Sequence, residues 1–204
     1  MAYLGTQPND VKKNTGLYTP SEILQLEKDG HWGGSLELLE SKDLTGTNPT
    51  ALDFTNMQEN NYNVHLLTYN NLQITSGSDT IRLRVSDDGG STYESASVYD
   101  SAVRILRYNA TFATPSFRVN YNAFDRIGQN AVDQPYSGYI YIYNAGDSSK
   151  TTSISFHNST MEDGFRYGGG TYKVTSTINA LRLYLSTYEF KDVGSVVNLY
   201  GIKQ

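Results

Sequence analysis

From residue 35 onward, apolar side chains recur at every second position, the period of a half-buried β-strand. Ser35–Ser41 places Leu36 and Leu38 on one face, and Tyr62–Tyr69 alternates Val64 and Leu66 against His65, Leu67 and Tyr69. Ile81–Ser86 is the cleanest case, with Ile81, Leu83 and Val85 inside and Arg82 and Arg84 outside. Asp87-Asp88-Gly89-Gly90 then reads as a turn, with Ser91–Glu94 returning as a hairpin. Further strands are predicted near 97–108, with an irregularity at Asp100-Ser101, and at Phe117–Tyr121, Gly138–Asn144, Thr151–His157, Ile178–Leu185 and Ser195–Ile202. No repeat of fixed period is visible, and no linker divides residues 35–204. Many short strands separated by turns predict an all-β domain, a two-sheet sandwich or barrel with one face of each sheet turned to solvent or to a partner. Gly168-Gly169-Gly170 reads as a flexible loop, since neither a Lys-Ser or Lys-Thr pair nor a long helix follows to make it a phosphate cradle.

Residues 1–34 follow a different pattern. Residues 2–18 have no sustained period and are rich in Thr, Pro, Asn, Asp and Gly. Thr19-Pro20-Ser21-Glu22 is a capping box: Thr19 caps, Pro20 takes the first helical position and Glu22 reaches back to the cap. Ile23, Leu24 and Leu26 follow, and Gly30 supplies a left-handed stop. The expectation is one short helix near 20–29, marginal by itself in water. It either packs on its own domain or holds the protein on a larger assembly. On the second view Tyr3, Leu4, Leu17, Tyr18, Ile23, Leu26 and Trp32 form the assembly interface of an N-terminal arm, residues 1–34, ahead of a sandwich domain at 35–204.

Composition narrows the chemistry. Among the 204 residues are 20 Ser, 20 Thr, 18 Gly, 17 Asn and 17 Tyr but only 16 Lys and Arg, which excludes a long coiled coil. A net charge of −5 argues against a general phosphate-backbone binder, so no nucleic-acid partner is expected. With no Cys there is no disulfide, zinc-thiolate site or thiol nucleophile. No uncharged run suits a membrane helix, so no membrane insertion is expected, and the opening Met1–Gly5 lacks the basic and apolar regions of a secretory signal. The three histidines, His31, His65 and His157, are isolated, and no Gly-x-Ser-x-Gly or His-Glu-x-x-His motif is present. Asp87-Asp88-Gly89-Gly90 and Glu162-Asp163-Gly164 could offer oxygens to Ca²⁺, yet turns account for both. No catalytic, cofactor-binding or metal-binding residue is therefore assigned. Tyrosine is the compositional oddity. Tyr139, Tyr141 and Tyr143 would line one face of a strand, serving either cross-strand packing or a binding face.

Several blocks resemble small virion proteins of tailed bacteriophages, marine ones above all. They are Gly16–Ile23 through Trp32–Leu38, Tyr62–Tyr69, Tyr141–Lys150, Gly169–Tyr172, Thr177–Arg182 and Leu199–Gln204, spread over nearly the whole chain. The resemblance implies a jelly-roll-like β-sandwich of eight to ten strands and brings no catalytic motif with it. It also implies a non-enzymatic structural protein, made in the host cytoplasm and resident in the virion. Two roles follow from it. One is a capsid decoration or cement protein clamped to the shell by its N-terminal arm. The other is a short tail fibre or receptor-binding protein whose Tyr-rich domain binds a host surface glycan. The expected partners are other virion proteins, either the major capsid protein or tail proteins, together with further copies of the chain in a homo-oligomer such as a trimer. A sugar-degrading sandwich enzyme is the remaining class; it would need two carboxylates facing across a cleft.

Overall fold

The computed structural model describes residues 19, 21–22, 24–25, 35–108, 115–160 and 164–203, excepting the side chains of 129–131 and 160. The chain divides into two units, residues 1–35 and 36–204. In the first, Ser21, Glu22, Leu24 and Gln25 are helical. The capping box is closed: the Thr19 amide donates to Glu22 Oε2 at 2.7 Å and the Glu22 amide donates to Thr19 Oγ1 at 3.3 Å. The amide of Thr19, then its hydroxyl, hold the Glu22 carboxyl below the usual carboxylate range. The seven expected interface residues Tyr3, Leu4, Leu17, Tyr18, Ile23, Leu26 and Trp32, with His31, lie outside the described residues.

The second unit is all-β, with twelve strands among its described residues: β1 (Leu36–Asp43), β2 (Ala51–Phe54), β3 (Val64–Leu72), β4 (Ser78–Ser86), β5 (Tyr99–Leu106), β6 (Ser116–Tyr121), β7 (Phe124–Ala131), β8 (Tyr136–Tyr143), β9 (Thr151–Thr160), β10 (Gly164–Thr175), β11 (Ala180–Tyr184) and β12 (Val196–Ile202). They form an eight-stranded sheet, β1-β12-β3-β8-β9-β10-β5-β6, and a four-stranded sheet, β2-β11-β4-β7. The connectivity is that of a folded ribbon. β1 pairs with β12, β2 with β11, β3 with β8 and β4 with β7, all antiparallel, and successive rungs fall alternately in the two sheets. That is the strand order of a jelly roll. Two extra hairpins, β5–β6 and β9–β10, widen the larger sheet beyond β8.

The alternation that predicts these strands also fills the space between them. Leu199, Leu67, Ile140 and Phe156 sit side by side across β12, β3, β8 and β9 and are all buried. From the smaller sheet, Ile81, Leu83, Val85, Leu181 and Leu183 join the same core cluster. Arg82 and Arg84 stay on the outer face, as their alternation predicts.

Four sequence expectations are corrected. Gly168-Gly169-Gly170 is not a loop; it lies in the middle of β10, paired with β5 on one side and β9 on the other. A Cβ on Gly168 would stand 2.8 Å from Phe156 Cζ, and one on Gly170 would stand 2.8 Å from Phe124 Cδ1, so neighbouring rings occupy the side-chain space. Ser91–Glu94 does not return as a strand. Asp88 holds that segment as a turn instead, accepting bonds from the Ser86 and Thr92 hydroxyls and from the Thr92 amide. Those bonds, with the Thr92 hydroxyl first, pull the Asp88 carboxyl down to about 2. Leu36 and Leu38 do share a face, but it is the exposed one, and Leu39 turns inward at a bulge between Leu38 and Glu40. Twelve strands replace eight to ten because β2, β7 and β10 carry weak periodicity. The irregularity expected at Asp100-Ser101 is present as a register shift between β5 and β6.

His65 lies on the buried face of β3, where its Nε2–H donates to the Met57 carbonyl at 2.8 Å. Burial, only partly offset by that bond, lowers the pKa of the ring below 6.5. The unfolded chain therefore binds a proton near its ordinary value of about 6.5 that the folded chain refuses. This contribution to stability is complete above that pH and is lost as pH falls through it toward the lower folded value. The urea midpoint should drop between pH 7 and pH 5. His65→Leu should remove most of that slope, whatever it does to the midpoint itself; an unchanged slope would rule out His65 as its source.

Candidate interaction face

The outward side of the eight-stranded sheet carries the most distinctive surface of the described residues. Strand pairing sets it out in rows. One runs Leu38, Tyr200, Leu66, Tyr141, Ser155, Gly169, Ala102, Phe117 from edge to edge. The row above holds Tyr143, Ser153, Thr171 and Asp100, and the row below holds Tyr139, His157, Tyr167 and Arg104. Only Asp100 and Arg104 carry a formal charge in these three rows, which is unusual for a solvent-facing sheet. Leu36, Leu38, Phe117, Val119, Tyr139, Phe165 and Tyr167 are all exposed there.

Tyr139, Tyr141 and Tyr143 lie on this face together, as the alternation of β8 predicts. Their rings make a continuous string: Tyr139 meets Tyr141 edge-on at 5.6 Å, and Tyr141 stacks on Tyr143 at 6.0 Å. The string continues across strands. Tyr139 contacts His157 at 5.9 Å, His157 stacks flat on Phe165 at 5.6 Å, and Phe165 meets Tyr108 at 6.1 Å. This extension escaped the sequence reading because it depends on the β8–β9–β10 register, which no local pattern encodes. Two of these five contacts, Tyr141–Tyr143 and His157–Phe165, are stacked, and the other three are edge-on or tilted. Rings packed on one another have less free face for a sugar than isolated ones.

Beside this ridge the sheet dips. Ser155, Gly169 and Ala102 follow Tyr141 in its row and have almost no side chain. Phe117 and Val119, 64% and 67% exposed, rise beyond them on β6. The depression between measures about 270 Å³ and is floored by Gly169, Gly170 and Ala102. A ridge of tyrosines and a trough of glycine and alanine thus lie side by side on one sheet.

The outer face of the smaller sheet is different in kind. Asp125, 2% exposed, is reached by Arg82 Nε at 2.7 Å and Arg118 Nε at 3.0 Å. A bulge between Ile81 and Leu83 of β4 and their β7 partners, with Arg126 at φ 61°, turns Asp125 toward Arg82. Arg182 makes a bidentate pair with Asp53, 2.6 Å for each bond, under the Tyr93 ring. These cations are occupied by carboxylates of the smaller sheet, Arg118 reaching its partner from β6 of the larger one.

Among the described residues, no group of three or more His, Cys, Asp or Glu converges as a metal site would require. His157 belongs to the ring string and His65 to the core. Glu162 and Asp163 lie outside the described residues. Asn158 is buried and donates to the Ile127 carbonyl. No helix among the described residues is long and apolar enough to cross a membrane. No protein-family model matches the chain, and no curated protein matches it.

Proposed function

We propose that this chain is a non-enzymatic structural protein of a tailed-phage particle, a decoration or cement protein held on the shell through residues 1–34. One observation carries the reading. The opening unit contains a helix start whose capping box is fully made, while its Leu24 stays 51% exposed. A short capped helix with an apolar side chain left in water is marginal by itself and gains stability by docking. The jelly-roll body fits an inert spacer: its carboxylates serve turns and ion pairs, and its broadest face is largely aromatic, with Asp100 and Arg104 the charged residues of its three central rows.

The core cluster runs from Leu39 to Leu199, wholly within the second unit. A chain of residues 35–204 is therefore expected to fold and to fail to join particles, as read by particle-associated protein after gradient purification. Normal incorporation of that shortened chain would refute the anchoring role. The second reading, a short tail fibre taking a host glycan, draws on the exposed Tyr139. The mutual packing of the rings favours the first.

A further inference from the structure

The ridge and trough on the eight-stranded sheet are neighbours of opposite shape, and that makes the face complementary to itself. We infer that it is the seat of a second copy of this chain, packed face to face about a two-fold axis parallel to the strands between β9 and β10. Such an axis keeps each row over its own row and reverses the strand order. β8 then lies over β5 of the second copy, β9 over its β10, and β3 over its β6.

The pairs this produces match in size. Tyr141 stands over Ala102 and enters the depression beside Gly169. Leu66 meets the exposed Phe117. In the lower row, Tyr139 lies over Arg104. In the upper row, Tyr143 lies over Asp100, whose carboxylate already accepts from the Lys173 ammonium at 3.0 Å and the Asn120 amide at 2.7 Å, so that charge enters the interface paired. Each pair occurs twice, as a two-fold requires. Sheets packed this way keep their strands within about 30° of each other, so the match is best near the axis.

The area is adequate. Six strands spaced about 4.8 Å apart and three rows of side chains cover about 600 Å² on each copy. The total of about 1,200 Å² is the lower bound for specific, stable interfaces. A second copy supplies both the ridge and the trough. This pairing goes beyond the anchoring role and stands or falls separately from it.

The test uses the purified full chain. Sedimentation equilibrium should give twice the chain mass in the micromolar range. Ala102→Glu, at an exposed position, should return it to the monomer with its β-sheet circular dichroism intact. The chain has no cysteine, so introduced ones report cleanly. A chain carrying both Tyr141→Cys and Ala102→Cys should be linked into covalent dimers by a short bismaleimide that bridges the roughly 10 Å between facing sheets. Chains carrying either change alone should not, because like positions are three strands, about 14 Å, further apart sideways. A monomer at every concentration, an Ala102→Glu protein that stays dimeric, or efficient linking through Ala102→Cys alone would each overturn the proposal. A monomer that still joins particles would leave the anchoring role intact. A dimer that fails to join them would count against that role alone.

Discussion

Gly170→Ala is expected to destabilise the protein by about 3 kcal/mol, the upper part of the range for forcing atoms into a packed interior. The added methyl would lie 2.4 Å from the Asp100 carbonyl and 2.8 Å from Phe124 Cδ1. One contact is backbone of the neighbouring strand and the other a buried core ring, so neither can withdraw cheaply. In a flexible loop the same change would stabilise, by about 0.4–1 kcal/mol, through the unfolded chain. The sign alone therefore separates a strand from a loop, and a urea titration of the two proteins reads it. The glycine run also serves the surface: Gly169, between Gly168 and Gly170, keeps the trough open on the other side of the sheet.

Asp125→Ala should cost about 3–5 kcal/mol, the range for leaving a buried partner of an ion pair uncompensated. Arg82 and Arg118 both give their Nε–H to this carboxylate, and the Arg82 side chain is only 16% exposed. The loss should appear as a lower urea midpoint with little change in slope. Asp125→Asn keeps an acceptor oxygen and should lose less. A fall of under about 1 kcal/mol for the alanine variant would place the pair among surface ion pairs of small worth.

The parts of this fold that could be read from sequence are those where side chains themselves carry the alternation. Arg82 and Arg84 between Ile81, Leu83 and Val85 mark β4, and isoleucine alternating with tyrosine marks β8 and its outward ladder. The capping box was readable because it is local, complete within four residues. What escaped has physical causes. Glycine has no side chain to alternate, so β10 is silent where Phe156 and Phe124 supply the bulk. β7 is interrupted by the bulge at Arg126. In β1 the bulge reverses which leucine is buried, so Leu36 and Leu38 lie outside while Leu39 turns in. The ring string beyond Tyr139, and the trough beside it, are products of register between strands far apart in the chain. His157 and Phe165 meet only once β8, β9 and β10 are aligned.

The attachment of residues 1–34 to a neighbour is the claim on which the functional account rests, and a cryo-EM map of a particle carrying this protein tests it most directly. The account predicts many copies at repeating positions on the shell, each with its opening segment buried against a shell subunit. A few copies at the tail, or an opening segment that touches only its own chain, would contradict it.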